Sequence, residues 1–275
     1  MGNMAESTKP SLTFSLTPSV AILIGSVIIA LAILVSNGTI SWKGSAQDSK
    51  NPPTALAQPT TAPGQPQVSL ATINDVFNKS QIKFGDTSKK VIFIEASDPS
   101  CPYCQAATGQ NPELNKQMGP QFTMAADGGS YVPPVPEMEK LVKNGKAAFV
   151  YLYFPGHGNG EMGAKALYCA ADNNKFWEAN DLLMSADGYN LLNNTVKNDK
   201  AKSGEIADFL KSVVDPATMK SCLDSGKYDS RLSEDTSLAS SLGINGTPGF
   251  YVNATLYAGA YSYKEMEPTV DALLK

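Results

Sequence analysis

Hydrophobic and polar positions divide the chain into three stretches. Val20–Val35 is almost purely apolar, and with Leu16–Ser19 it approaches the roughly 20 residues that a helix needs to cross a membrane. Residues 37–68 are rich in Pro, Thr, Ser, Ala and Gln, a composition typical of an extended tether without a core. We therefore predict a cytoplasmic tail and transmembrane anchor at 1–36, a linker at 37–68 and a folded domain at 69–275.

The folded domain carries the signals of an α/β protein. The apolar runs Val91–Ile94 and Ala147–Phe154 predict buried strands, with helices between them. Strand, crossover helix and strand form a right-handed parallel unit, so both strands should end at the same sheet edge. The remaining predicted elements are a helix continuing to about Met118, a helix at Glu137–Asn144, a helical insertion at about 161–242, a hairpin at 250–258 and a closing helix at Tyr263–Leu274.

A Cys-Pro-Tyr-Cys sequence stands where the first strand passes into a helix. The unpaired N–H groups and the positive dipole end of a helix N-terminus stabilise a thiolate there. Pro102 suits the first helical turn, since its missing N–H needs no partner at that position. We expect Cys101 to be an exposed attacking sulfur of low pKa and Cys104 to be the resolving sulfur, so that the pair forms a redox-active disulfide.

Two other readings of the cysteine pair are weaker. A zinc site needs two further ligands, yet Cys169 and Cys222 stand singly and His157 is the sole histidine of the sequence. A purely structural disulfide between Cys101 and Cys104 would close almost no loop and would stabilise little. We therefore expect neither a metal nor a cofactor.

Four segments in a fixed order carry a family resemblance. They are F-I-E-A-S-D-P-S-C-P-Y-C, F-P-G-H-G, C-A-A-D-N-N-K-F-W-E-A-N-D-L-L and G-I-N-G-T-P-G-F-Y-V-N. Over roughly residues 80–275 the chain resembles the DsbA-like thiol:disulfide oxidoreductases of the thioredoxin superfamily, in their membrane-anchored bacterial form. The resemblance implies a thioredoxin-like fold with a helical insertion, and an enzyme that introduces disulfide bonds into reduced or unfolded extracytoplasmic polypeptides.

The resemblance also implies roles for individual residues. An acid six positions before the first cysteine, here Glu95, lies under the second cysteine in that superfamily and assists its proton transfer. An outward-facing carboxylate at the strand edge is the alternative. Thr247 and Pro248 correspond to the loop whose proline is cis and faces the cysteine pair. Pro102 and Tyr103 replace the Pro-His of the strongest oxidants, so we expect a weaker oxidant, at about −180 to −230 mV.

Cys169 and Cys222 fall on the apolar faces of two predicted helices. Buried free thiols are one possibility. In an oxidising compartment we prefer a structural disulfide between them, which would stabilise the domain by roughly 4 kcal/mol in the chain-entropy treatment.

Composition and charge narrow the location and the partners. The chain has 275 residues, 42% of them hydrophobic, and a formal net charge of −4. No basic stripe is present to neutralise phosphates, which argues against nucleic acid. The apolar length favours an uncleaved signal-anchor over a signal peptide whose removal would release a secreted protein.

The lysines flanking the anchor do not determine its orientation. Because an oxidant is useful outside the cytoplasm, we place the N-terminus inside and the domain in the periplasm or its equivalent. The resemblance implies a quinone-linked membrane partner for re-oxidation. A reductase or isomerase of the same fold, and a non-enzymatic tethered binding module, remain as alternatives. The loop at 119–136 has no predicted function.

Overall fold

The computed structural model describes residues 68–275, so the predicted anchor and most of the predicted linker lie outside the described residues. Within 68–275, no helix combines the length and apolar character needed to cross a membrane. The strands are β1 Lys83–Phe84, β2 Val91–Ser97, β3 Ala147–Tyr153, β4 Gly249–Val252 and β5 Thr255–Ala258. The helices are α1 Leu70–Lys79, α2 Pro102–Thr108, α3 Pro112–Gln117, α4 Pro134–Lys143, α5 Glu161–Ala171, α6 Phe176–Leu183, α7 Ala186–Asn190, α8 Ser203–Phe209, α9 Pro216–Asp224, α10 Asp229–Ser241 and α11 Tyr263–Leu274.

The strands form one mixed sheet in the order β1-β3-β2-β4-β5. β2 and β3 are parallel, paired from Val91 and Ala147 to Ser97 and Tyr153, and the other neighbours are antiparallel. The predicted parallel unit is therefore confirmed, with β2 continuing three residues beyond Ile94.

Both central strands are buried on both faces, as their unbroken apolar runs predict. Alternate residues of a strand point to opposite faces. Ile92, Ile94 and Ala96 face a core that α1 and α10 cover. Phe93 faces the second core, to which α2, α4, α11 and most of the insertion contribute. Glu95 and Ser97 share the face of Phe93, so they lie on the side of the sheet that carries α2.

The segment between β3 and β4 is helical, from α5 to α10, so the predicted insertion at about 161–242 is confirmed as a helical segment. At the start of α9, the Asp215 side chain accepts a hydrogen bond from the N–H of Thr218, and Pro216 occupies the first helical turn. Cys169 on α5 and Cys222 on α9, 53 positions apart, form a disulfide bond with their Cα atoms 6.0 Å apart.

Two predicted helices differ from the structure. The helix expected to continue to about Met118 is two helices, because α2 ends at Gly109 in the left-handed conformation, with φ of 68°. α3 then starts afresh with Asn111 as its N-cap. α4 begins at Pro134 rather than at Glu137, since a proline at N1 already has a helical φ and needs no N–H partner.

Candidate active site

Cys101 and Cys104 lie at the N-terminus of α2. Cys101 is the N-cap residue, Pro102 occupies the first turn and Cys104 lies three positions after Cys101. Both cysteines are free thiols in this structure, which corresponds to the reduced state of a dithiol pair. The Cys101 thiol donates a hydrogen bond to the carbonyl oxygen of Thr247, at 3.6 Å.

The two thiols have different acidities. The pKa of Cys101 is lowered to about 6, chiefly by a hydrogen bond from the Cys104 thiol and further by Thr247 and by the N–H groups of Cys104 and Tyr103, while burial opposes the change. Burial raises the pKa of Cys104 well above its ordinary value, and the negative charge on Cys101 raises it further. At neutral pH the negative charge therefore resides on Cys101, and a thiolate is the reactive form of cysteine.

The expectation that Cys101 is exposed is wrong. Cys101 is only 4% exposed, and it belongs to an apolar cluster with Cys104 and Met184. Met184 follows α6 in the helical insertion, so the insertion folds back over the cysteine pair. By contrast, the neighbouring Tyr103 is 49% exposed and forms part of the surface beside the pair.

The loop at 119–136 also lies beside the redox motif. Its Phe122 packs edge-on against Tyr103 with ring centroids 5.7 Å apart, and Tyr131 also packs edge-on with Phe122, with centroids 5.6 Å apart. Aromatic pairs at such distances attract one another. This loop is therefore part of the active-site rim, although its sequence offers no motif that indicates such a place.

The segment before β4 brings Thr247 and Pro248 to the cysteines. β4 pairs antiparallel with β2, with Gly249 opposite Ala96, so the residues just before β4 lie at the edge where β2 ends. The Thr247–Pro248 peptide bond is cis. Residues 146 positions apart in the chain thus meet at one sheet edge, as the 3.6 Å contact of the Cys101 sulfur with the Thr247 carbonyl oxygen shows.

Glu95 points into the protein, since it is only 2% exposed. The outward-facing alternative is therefore excluded by its burial. Burial raises the pKa of Glu95 to about 7, and the Ser97 hydroxyl partly opposes that rise. The carboxyl group can consequently hold or release a proton near neutral pH, on the face of the sheet that carries α2.

Two further features bear on the site. Asp98, in the turn between β2 and α2, is completely buried and accepts hydrogen bonds from Ser100, Gly156 and His157. The His157 side chain is exposed, so this residue contributes its backbone N–H rather than its imidazole. Within residues 68–275, no group of three or more His, Cys, Asp or Glu side chains is arranged to hold a metal ion.

Comparison with known proteins extends these observations. A family model described as Thioredoxin matches residues 136–272. The antiporter NhaA 3 of Salinispora tropica is 23% identical over 190 residues, covering 68% of this chain but only 24% of that protein, so the chain spans about a quarter of that relative. Disulfide bond formation protein D of Bacillus subtilis is 21% identical over 203 residues, covering 72% of this chain and 78% of that protein.

Among solved structures, Wolbachia pipientis alpha-DsbA1 is 19% identical, with a TM-score of 0.52, and the match covers 72% of this chain and 95% of that one. This likeness establishes the fold. The thioredoxin-like fold with its helical insertion agrees with the matched family model, and the chain is similar to DsbA-like thiol:disulfide oxidoreductases.

Proposed function

We propose that the chain is an extracytoplasmic oxidase that introduces disulfide bonds into reduced or unfolded polypeptides through Cys101 and Cys104. The observation that carries the proposal is the difference in acidity between the two thiols. The pKa of Cys101 is lowered to about 6, whereas that of Cys104 is raised well above its ordinary value. A stabilised thiolate favours the reduced form of the pair, so the oxidised form tends to accept electrons.

The reaction follows from these acidities. A substrate thiolate attacks the sulfur of Cys101 in the Cys101–Cys104 disulfide, and Cys104 leaves with the electron pair of the broken bond. The buried Cys104 sulfur must then be protonated, and Glu95, with a pKa raised to about 7, supplies the proton. A second substrate thiolate attacks the substrate sulfur of the mixed disulfide, which releases Cys101 as a thiolate. Two electrons thereby pass from the substrate to the enzyme.

The substrate surface consists of Pro102, Tyr103, Thr247 and Pro248. Tyr103 offers an exposed aromatic ring, and Thr247 contacts Cys101 directly through its carbonyl oxygen. The backbone of this loop can pair with an extended substrate strand, and main-chain pairing of that kind gives affinity with little sequence preference. An enzyme that accepts many unfolded polypeptides needs that tolerance. The partners are thus reduced polypeptides and, for re-oxidation, a quinone-linked membrane protein.

Location is the second part of the proposal. The bond between Cys169 and Cys222 supports an oxidising compartment, because structural disulfides are rare in the reducing cytosol. We therefore place the domain at 69–275 outside the cytoplasm. It is held by the linker at 37–68 and by the anchor at 1–36, whose N-terminus lies inside.

The reduction potential of the Cys101–Cys104 couple tests the direction of electron flow. Full-length protein is equilibrated with glutathione buffers, and the fraction of oxidised Cys101 is followed by peptide mass spectrometry. We expect about −180 to −230 mV, whereas a value near that of thioredoxin, about −270 mV, would assign the reductase alternative instead. The oxidised protein should also transfer its disulfide to a reduced unfolded polypeptide, and a Cys104→Ser variant should not.

A further inference from the structure

Asp98 holds an unusual number of hydrogen bonds for a turn residue. Asp98 directly follows β2, and it is completely buried. Oδ1 accepts from the N–H and the hydroxyl of Ser100, at 2.8 and 2.7 Å. Oδ2 accepts from the N–H groups of Gly156 and His157, both at 2.8 Å. Four donors therefore converge on one buried carboxylate.

These bonds join two loops. Ser100 belongs to the loop that carries Cys101, whereas Gly156 and His157 belong to the loop between β3 and α5. The second loop closes tightly on the carboxylate, since a Cβ atom on Gly160 would lie 1.7 Å from Oδ1 of Asp98. Nothing larger than glycine fits at that position without moving the carboxylate.

The backbone of Asp98 and the second loop both reach the reacting sulfurs. The Asp98 carbonyl accepts a hydrogen bond from the N–H of Cys101 at 2.9 Å, and its own N–H donates to the sulfur of Cys104 at 3.4 Å. Gly156 packs directly on Thr247, because a Cβ atom there would lie 1.7 Å from the Thr247 hydroxyl oxygen. Thr247 in turn accepts the hydrogen bond from Cys101.

We propose that Asp98 is a positioning residue of the redox centre, whose carboxylate holds the Cys101 loop and the β3–α5 loop in the arrangement that places Cys101 against Thr247. The inference rests on Cys101 being the reactive sulfur of the proposed function. A second negative charge beside a thiolate is unfavourable, so the charge of Asp98 does not explain its place. The place of Asp98 is explained instead by its capacity to accept four hydrogen bonds, because an asparagine amide of the same shape has only one acceptor oxygen.

Asp98→Asn separates positioning from charge, because the two effects have opposite signs. Loss of a neighbouring negative charge alone would lower the pKa of Cys101. Loss of the arrangement would move the Cys101 sulfur away from the Thr247 side chain and from the N–H groups of Cys104 and Tyr103, all of which lower its pKa, so the pKa would rise. The other titratable groups beside Cys101 are Cys104 on α2 and Tyr189 on α7, and both are unchanged in the variant.

The measurement is the rate of Cys101 alkylation by iodoacetamide against pH, read at the level of the Cys101 peptide. For each unit that the pKa rises, the thiolate fraction at low pH falls about tenfold. The greater nucleophilicity of the more basic thiolate recovers about two fifths to one half of that loss on a logarithmic scale, so the net loss of rate is about threefold to fourfold. A pKa rise of one unit in Asp98→Asn should therefore make alkylation about threefold to fourfold slower near pH 5. An unchanged or faster rate in folded protein would overturn the proposal.

Asp235→Asn is the matched control. Asp235 is also completely buried, and it accepts hydrogen bonds from the N–H of Tyr153 at 3.1 Å and from the Arg231 guanidinium at 2.8 Å. We expect this variant to lose stability without a change in the alkylation profile. An equal change in both variants would show a general effect of loosening the core and would also overturn the proposal.

Ser100→Ala keeps the test decisive if Asp98→Asn does not fold. It leaves the carboxylate in place but removes the hydroxyl that donates to Oδ1 and accepts from the N–H of Asn159 at 3.2 Å. We expect slower alkylation at low pH, in the same direction as for Asp98→Asn, and an unchanged profile would count against the proposal. Because alkylation needs no disulfide transfer, a failure of the oxidase proposal would leave this readout intact.

Discussion

Replacing Glu95 by glutamine tests the buried acid through the pH dependence of stability. Burial raises the pKa of Glu95 from 4.5 to about 7 in the folded protein, whereas the unfolded chain returns it to an ordinary value. Between these two values the folded state binds more protons than the unfolded state. The free energy of unfolding must therefore fall as the pH rises through this interval.

The magnitude follows from the two pKa values. The interval from 4.5 to about 7, at about 1.4 kcal/mol for each pH unit, corresponds to about 3 kcal/mol of stability lost by the wild-type protein above pH 7. Glu95→Gln has nearly the same shape and cannot ionise, so it should not show this loss. Relative to wild type, the variant should gain about 3 kcal/mol between pH 4.5 and pH 8.

Urea unfolding at a series of pH values measures this difference. Both proteins should carry Cys101→Ala and Cys104→Ala, so that the active-site thiols do not titrate. Other groups that titrate, such as the buried Asp235, are present in both proteins and cancel. Glu113→Gln is the control, because the Glu113 side chain is 74% exposed and its loss should leave the pH dependence unchanged. Parallel curves for wild type and Glu95→Gln would refute the reasoning.

Two further predictions concern the cysteines. Cys101→Ser should abolish disulfide transfer, and full transfer by this variant would contradict the mechanism. Cys104→Ser, given a disulfide-containing polypeptide, should accumulate mixed disulfides that are detectable on non-reducing gels. The Cys101 thiolate attacks the substrate disulfide, one substrate thiolate leaves, and no Cys104 thiol is present to release the product. Replacing Cys169 and Cys222 together by alanine opens a bond that spans 53 positions, which should cost about 4 kcal/mol and lower the Tm by roughly 8–16 °C. The alkylation profile of Cys101 should stay unchanged, and an unaltered Tm would show that this bond does not stabilise the domain.

Much of the fold can be predicted from the sequence, because its strands and helices depend on the local periodicity of apolar residues. Unbroken apolar runs predict β2 and β3, since strands covered on both faces carry no polar alternation. The closing helix has the predicted bounds, Tyr263–Leu274, because its apolar residues recur at helical spacing. The place of the Cys-Pro-Tyr-Cys sequence at a helix start is equally local.

The character of the site was decided by contacts between distant segments. Cys101 is buried because Met184 of the insertion packs on it, and no periodicity indicates where a helical insertion folds back. In the sequence, Asp98 has no feature beyond its place in a turn. Its role depends on the N–H groups of Gly156 and His157, almost 60 positions later, which donate hydrogen bonds to its carboxylate. Local dihedral preferences and side-chain periods specify elements, whereas the partners of a buried polar group are chosen only when the elements pack.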